Sequence, residues 1–228
     1  MSTEQLALVR GWDDTRATLR RWRARPLPAI RPWALGSLAI AAVLLTATWV
    51  VAMVGMPDPT VFAPTRHGEW GDYGFILYRN GLVLSLQAMA CVAGFMAGAS
   101  LPLAAEGYSG WWRSAHDRAG KLAMGFVAAA TLFSLSTQAY ALGLQACSVA
   151  DAHAVSPALL MVSLLPHAVP ELGALFLPLA AWLLASRRKA WDELLAATFV
   201  TTAIAVPILL ASAAVEVWVS PHVLSFLK

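Results

Sequence analysis

Long apolar runs, each at least the length of a bilayer crossing, alternate along the chain with short polar segments. The first run, residues 33–56, carries no charge and ends at Pro57 and Pro59. A polar loop over 57–74 then holds Arg66, His67, Glu69, Trp70 and Asp72. The second run, 75–104, exceeds the roughly 20 residues that a spanning helix needs, so it tilts or protrudes. Its small residues Gly94, Ala97, Gly98 and Ala99 predict close helix packing. The connection 105–120 sets Trp111 and Trp112 beside Arg113, His116, Asp117 and Arg118, a composition suited to a membrane–water interface. A third span is predicted over 121–144, followed by a short loop whose one charge is Asp151. The segment 156–186 is too long for one straight crossing of about 30 Å, and Pro166-His167-Ala168-Val169-Pro170 interrupts it. It divides into a short interfacial or re-entrant piece, 156–165, and a fourth span, 166–186. The fifth span, 194–219, is expected to kink near Pro207.

Residues 1–32 follow a different pattern. Leu8, Trp12, Leu19 and Trp22 recur at helical spacing among arginines. This predicts an amphipathic helix lying on an anionic membrane face, with Arg16, Arg20, Arg21 and Arg23 as the membrane-surface residues. The alternative is a loosely ordered basic tail that only sets topology. Pro26, Pro28 and Pro32 are expected to break the helix before the first span. The segment has no apolar h-region, so no cleavable signal peptide is expected. The predicted fold is all-α, a polytopic transmembrane helical bundle of about five spans. Its fourth span is broken by proline and an amphipathic helix precedes it. Residues 1–32 form a cytoplasmic basic segment and 33–228 the transmembrane domain.

Composition and charge sharpen this picture. Hydrophobic residues make up 59% of the chain and charged ones 13%, with mean hydropathy +0.63, against about 25% charged in soluble domains. Of the 16 Lys and Arg, seven precede the first span, three follow the second and three follow the fourth. A five-span arrangement gathers all of these on one side, and the positive-inside rule puts the N-terminus in the cytoplasm and the C-terminus outside. A separate crossing by 156–165 would strand Arg187, Arg188 and Lys189 on the opposite side. Cys91, in an apolar stretch, and Cys147, in a polar connection, read as free thiols.

Ionisable residues at membrane depth are the candidates for function. Counting about 20 residues from each cytoplasmic boundary puts Arg79, Asn80, His167, Glu171 and Glu216 at similar depth near the outer side. His167 and Glu171 are four apart and share a helix face, and Pro170 is suited to a helix start. Three readings stay open. The cluster caps a broken helix and pins spans together, it binds a ligand, lipid or partner, or His167, Glu171 and Glu216 form a metal or catalytic centre. A His-x-x-x-Glu pair is weak for metal, because three or four convergent ligands are needed. Gln87 and Gln138 are expected to hydrogen-bond between helices. No phosphate-binding glycine loop, His-Glu-x-x-His or Gly-x-Ser-x-Gly is present. No cofactor and no nucleic acid are expected, anionic lipid being the natural partner of the N-terminal arginines.

Three segments also resemble a known family: Tyr78-Arg79-Asn80-Gly81-Leu82, Leu164-Leu165-Pro166-His167-Ala168-Val169-Pro170-Glu171-Leu172, and Ala213-Ala214-Val215-Glu216-Val217-Trp218-Val219-Ser220-Pro221. In this order, across roughly 75–222, they look like the stage II sporulation protein M family of bacterial membrane proteins. Ala168 stands where that family usually has Gly, and Pro170 precedes the Glu. The resemblance implies a multi-pass bacterial inner-membrane protein acting as a non-enzymatic scaffold or accessory subunit, assembling with other membrane proteins or as a homodimer. One alternative is a transport or export component, similar to bacteriocin export, with a site at the broken fourth helix. The other is an intramembrane metal-dependent enzyme.

Overall fold

The computed structural model describes residues 3–60, 68–100 and 111–227, all helix and connecting turns with no strand among them. Helix α1 covers Thr3–Ala24, α2 Pro26–Val54 and α3 Trp70–Phe95, which continues into a π-helical turn at Met96–Ser100. Helix α4 covers Trp111–Ala152, α5 Pro157–Leu175 and α6 Leu177–Arg188. A 3-10 turn, Trp191–Glu193, leads into α7, Leu194–Trp218, and α8 is the short Ser220–Leu227. Among the described residues, five stretches are long and apolar enough to cross a membrane: Pro26–Val54, Trp70–Gly98, Met124–Ala152, Pro157–Leu175 and Trp191–Trp218. The chain thus has the architecture of a multi-pass helical membrane protein.

Several boundaries depart from the sequence reading, each for a local reason. Only Arg25, at φ −144°, separates α1 from α2, which opens on proline. Proline tolerates the first helical turn because its missing N–H would be unpaired there anyway. Helix α3 begins at Trp70, inside the expected loop, through a capping box in which Glu69 and Asp72 each accept from the other's end of the turn. Helix α4 begins at Trp111 and runs to Ala152. It takes in residues expected in both flanking loops, including Cys147, which is buried and donates to the Gly55 carbonyl at 3.4 Å.

The crossing containing 156–186 is broken, but not where expected. Ser156 caps α5 by accepting from Leu159 N–H at 3.2 Å, and the helix then runs through both Pro166 and Pro170. The piece 156–165 is therefore the first half of a continuous helix, not a separate interfacial segment. The interruption falls at Phe176, with φ −91° and ψ 2°, and Pro178 opens the next helix. Phe176 to Ala181 are all buried, so the break lies in the core and is fixed by packing. Cys91 of α3 donates to the Pro178 carbonyl there at 3.1 Å.

Together α5 and α6 run antiparallel to α2. Leu160 shares a cluster with Ala52 and Cys147 at one end, and Leu177 and Ala181 share another with Trp33 and Ala197 at the other. The small residues of α3 admit large neighbours: a Cβ on Gly94 would stand 2.7 Å from Trp182 Nε1, and one on Gly98 2.3 Å from the Trp191 ring. Helix α4 is clamped to α2 at Gly143, whose added Cβ would meet Val51 at 2.5 Å.

Helix α1 docks on the same end of the bundle as the 187–193 turn. Its buried stripe is Gly11, Thr15 and Thr18, with Trp22 edge-on to Trp33 at 4.9 Å. Gly11 lies under the Phe95 ring. The expected apolar stripe is only partly used. Trp12 is 50% exposed and Leu19 half-buried, while the Leu8 side chain lies outside the described residues. The docking face consists of small residues because α1 meets protein there rather than lipid.

Candidate functional site

Asn80, His167, Glu171, Glu216 and Arg79 all line one partly open cavity of about 370 Å³ between α2, α3, α4, α5 and α7. Thr48 of α2 and Gln138 and Gln145 of α4 complete its polar lining, and leucines such as Leu44, Leu142 and Leu160 supply much of the rest. The volume falls within the range of small-molecule sites, about 300–1,000 Å³.

The antiparallel course of α5 and the α7–α8 segment explains how the cluster assembles. His167 and Glu171 lie one turn apart on α5, while Glu216 and Ser220 lie one turn apart on the opposing chain. His167 Nδ1 is 2.7 Å from Ser220 Oγ. Glu171 and Glu216 face each other closely enough for their charges to interact. Ser220 Oγ also donates to the Val215 carbonyl at 3.3 Å. Ser220 thus ties the His167 ring to the end of α7, the direction of the hydrogen bond following the imidazole tautomer.

The third helix contributes Asn80, only 7% exposed. Its side chain is near enough to Glu171 to influence it, yet Nδ2 is outside hydrogen-bond geometry and has no partner. Thr48 Oγ1, on a residue 5% exposed, is also unpartnered. Buried polar groups are ordinarily satisfied, so two orphans on one cavity wall call for an explanation. Arg79 stands exposed at the rim, its guanidinium carbon 5.9 Å from the Phe75 ring centroid. Pro166 and Pro170 carry no N–H, so the carbonyls of Val162 and Pro166 lose their usual helical donors on the same helix.

Among the described residues no group of three His, Cys, Asp or Glu is placed to hold a metal, so His167, Glu171 and Glu216 do not make up such a set. Gln138 donates to Ser134 Oγ at 3.0 Å within its own helix, not between helices as expected. Thr48, Gln145 and Ser220 escaped the sequence reading. The spacing of Glu216 and Ser220, matching that of His167 and Glu171, was the available signal for Ser220.

The arginines of α1 divide. Arg21 forms an ion pair with Glu193 at the protein surface and latches α1 to the turn before α7. Arg16 lies over the Trp12 ring at 5.2 Å, and Arg20 and Arg23 are exposed. No known protein family, curated protein or solved structure matches the chain.

Proposed function

We propose that this chain is a membrane-embedded binding or transport component that admits a small ligand between its helices. The observation that carries this reading is the cavity of about 370 Å³ bordered by the broken crossing, with its ionisable lining and two unpartnered polar groups. A purely structural polar cluster would be dry and mutually satisfied, since half-satisfied networks weaken a core. Discontinuous helices around a mid-bundle site are a recurring feature of transporters. The test is retention of small molecules by purified protein, measured by native mass spectrometry. Wild type is expected to carry a ligand that Ala146→Trp, which fills the cavity, excludes while keeping its fold. Equal retention by both proteins overturns the reading.

A second reading, a scaffold of the kind implied by the resemblance to the stage II sporulation protein M family, draws support from α4. Only 11% of its spanning window is buried, the least of the five, and Leu122, Phe126, Phe133 and Tyr140 lie exposed along it. That face suits lipid or another membrane protein. In both readings the N-terminus is cytoplasmic, and Arg16, Arg20 and Arg23 meet anionic headgroups.

A further inference from the structure

We infer that the cavity takes an organic ammonium ion with an apolar body, an assignment that rests on the ligand-binding reading above. Charge comes first. Glu171 and Glu216 bring two carboxylates to one cavity, and Arg79 is the single Lys or Arg among the described lining residues. Arg79 stands exposed at the rim, and His167 has one ring nitrogen engaged by Ser220. Two carboxyl groups against one guanidinium leave one acidic group without a cationic partner, and an acidic group at membrane depth stays ionised where a cation pairs it. A monocation completes the balance.

Hydrogen bonding comes second. An ammonium donates and never accepts, so it needs a set of oxygens around it. The two carboxylates supply these, with the buried Asn80 amide beside Glu171 to orient its carboxyl.

Shape comes third. A bare inorganic cation needs a compact shell of several oxygens, whereas this cavity holds about 370 Å³ and is walled largely by leucine, valine and methionine. The polar end suits a charged head and the leucine wall an apolar body, the usual division of labour in small-molecule sites.

The experiment uses full-length protein in nanodiscs of neutral phosphatidylcholine, which removes any contribution from lipid charge. Three probes sharing one skeleton are compared by calorimetry and thermal unfolding: 2-phenylethylammonium, 2-phenylethanol and phenylacetate. The ammonium is expected to bind and raise the unfolding temperature, and the other two to bind at least about tenfold more weakly, as loss of a charge-assisted hydrogen bond implies. Glu171→Gln and Glu216→Gln are each expected to weaken the ammonium about tenfold or more, with Glu171→Asp retaining most of the affinity. The Asp variant guards against loss of fold, and Ala146→Trp is expected to abolish binding. Equal binding of 2-phenylethanol, or preferential binding of phenylacetate, overturns the ammonium assignment and leaves the ligand-binding reading standing. Wild-type affinity in both Gln variants also overturns it. Silence from all three probes, with wild type and Ala146→Trp indistinguishable, overturns both.

Discussion

Ser220 and Gly94 hold their neighbours by opposite means, one by a directed bond and the other by having no side chain. Ser220→Ala removes the hydrogen-bond partner of His167 and is expected to cost about 1 kcal/mol, the usual net value of a hydrogen bond, read as a lowered unfolding temperature. Gly94→Val drives a side chain into Trp182, whose Nε1 already lies 2.7 Å from where a Cβ would stand. Overpacking of that kind costs about 1–3 kcal/mol. Outside the spans, Asp58 Oδ1 accepts from Thr60 N–H at 2.9 Å and from Thr60 Oγ1 at 2.7 Å. These bonds hold its carboxyl below the ordinary carboxylate range. A lowered folded-state value means that the turn is fully supported at neutral pH and loses that support as acid titrates Asp58 through the lowered value. Protection of the Thr60 amide, taken relative to its intrinsic exchange rate at each pH, is expected to fall there, and Asp58→Asn is expected to remove the pH step. The residues now around the cavity were legible one by one, because bilayer thickness converts sequence distance into depth and ionisable side chains are conspicuous at that depth. Thr48 was not. A hydroxyl in an apolar run ordinarily satisfies itself on its own helix, as Thr46 and Thr201 do here, so nothing marks the few that do not.

At the level of elements, the apolar runs foretold the number of crossings, and turn chemistry foretold their ends less well. Proline was read as a breaker at Pro166 and Pro170, but a helix packed on both sides tolerates the two lost donors. The interruption instead follows from how Phe176 and Pro178 fit between α2 and α3, a tertiary matter with no local signature. Cys147 was misplaced because α4 continues several residues beyond the apolar window that predicted it. Helix α1 shows the same limit: its amphipathic pattern was visible, but which side meets protein depended on Gly11 and Thr15 fitting beneath Phe95 and its neighbours. The Arg21–Glu193 latch sits partly in solvent, at 61% and 29% side-chain exposure. A double-mutant cycle of Arg21→Gln and Glu193→Gln is accordingly expected to give a coupling below about 1 kcal/mol. Packing of Gly11, Thr15, Thr18 and Trp22 is the larger contribution to docking.

For the whole molecule, the broken crossing decides which turns share an end. Gly55–Asp58 lie against α4 near Ser148, which accepts from Asp58 N–H at 2.9 Å, while the 187–193 turn lies against α1. Reporter fusions after residues 58 and 154 are therefore expected to agree with one another and to oppose fusions after 25 and 189. Matching signals from 154 and 189 would mean that α5 and α6 do not make a single crossing. The facing pairs on α5 and the α7–α8 segment add a constraint on motion. His167 meets Ser220, and one turn on Glu171 and Glu216 are the next pair of positions, lining the same cavity. Four residues of helix rise about 6 Å, so a smaller slide of one chain along the other parts both pairs together. A slide of one full turn would bring Glu171 opposite Ser220. The seam between these helices is thus notched at His167 and Ser220 rather than smooth.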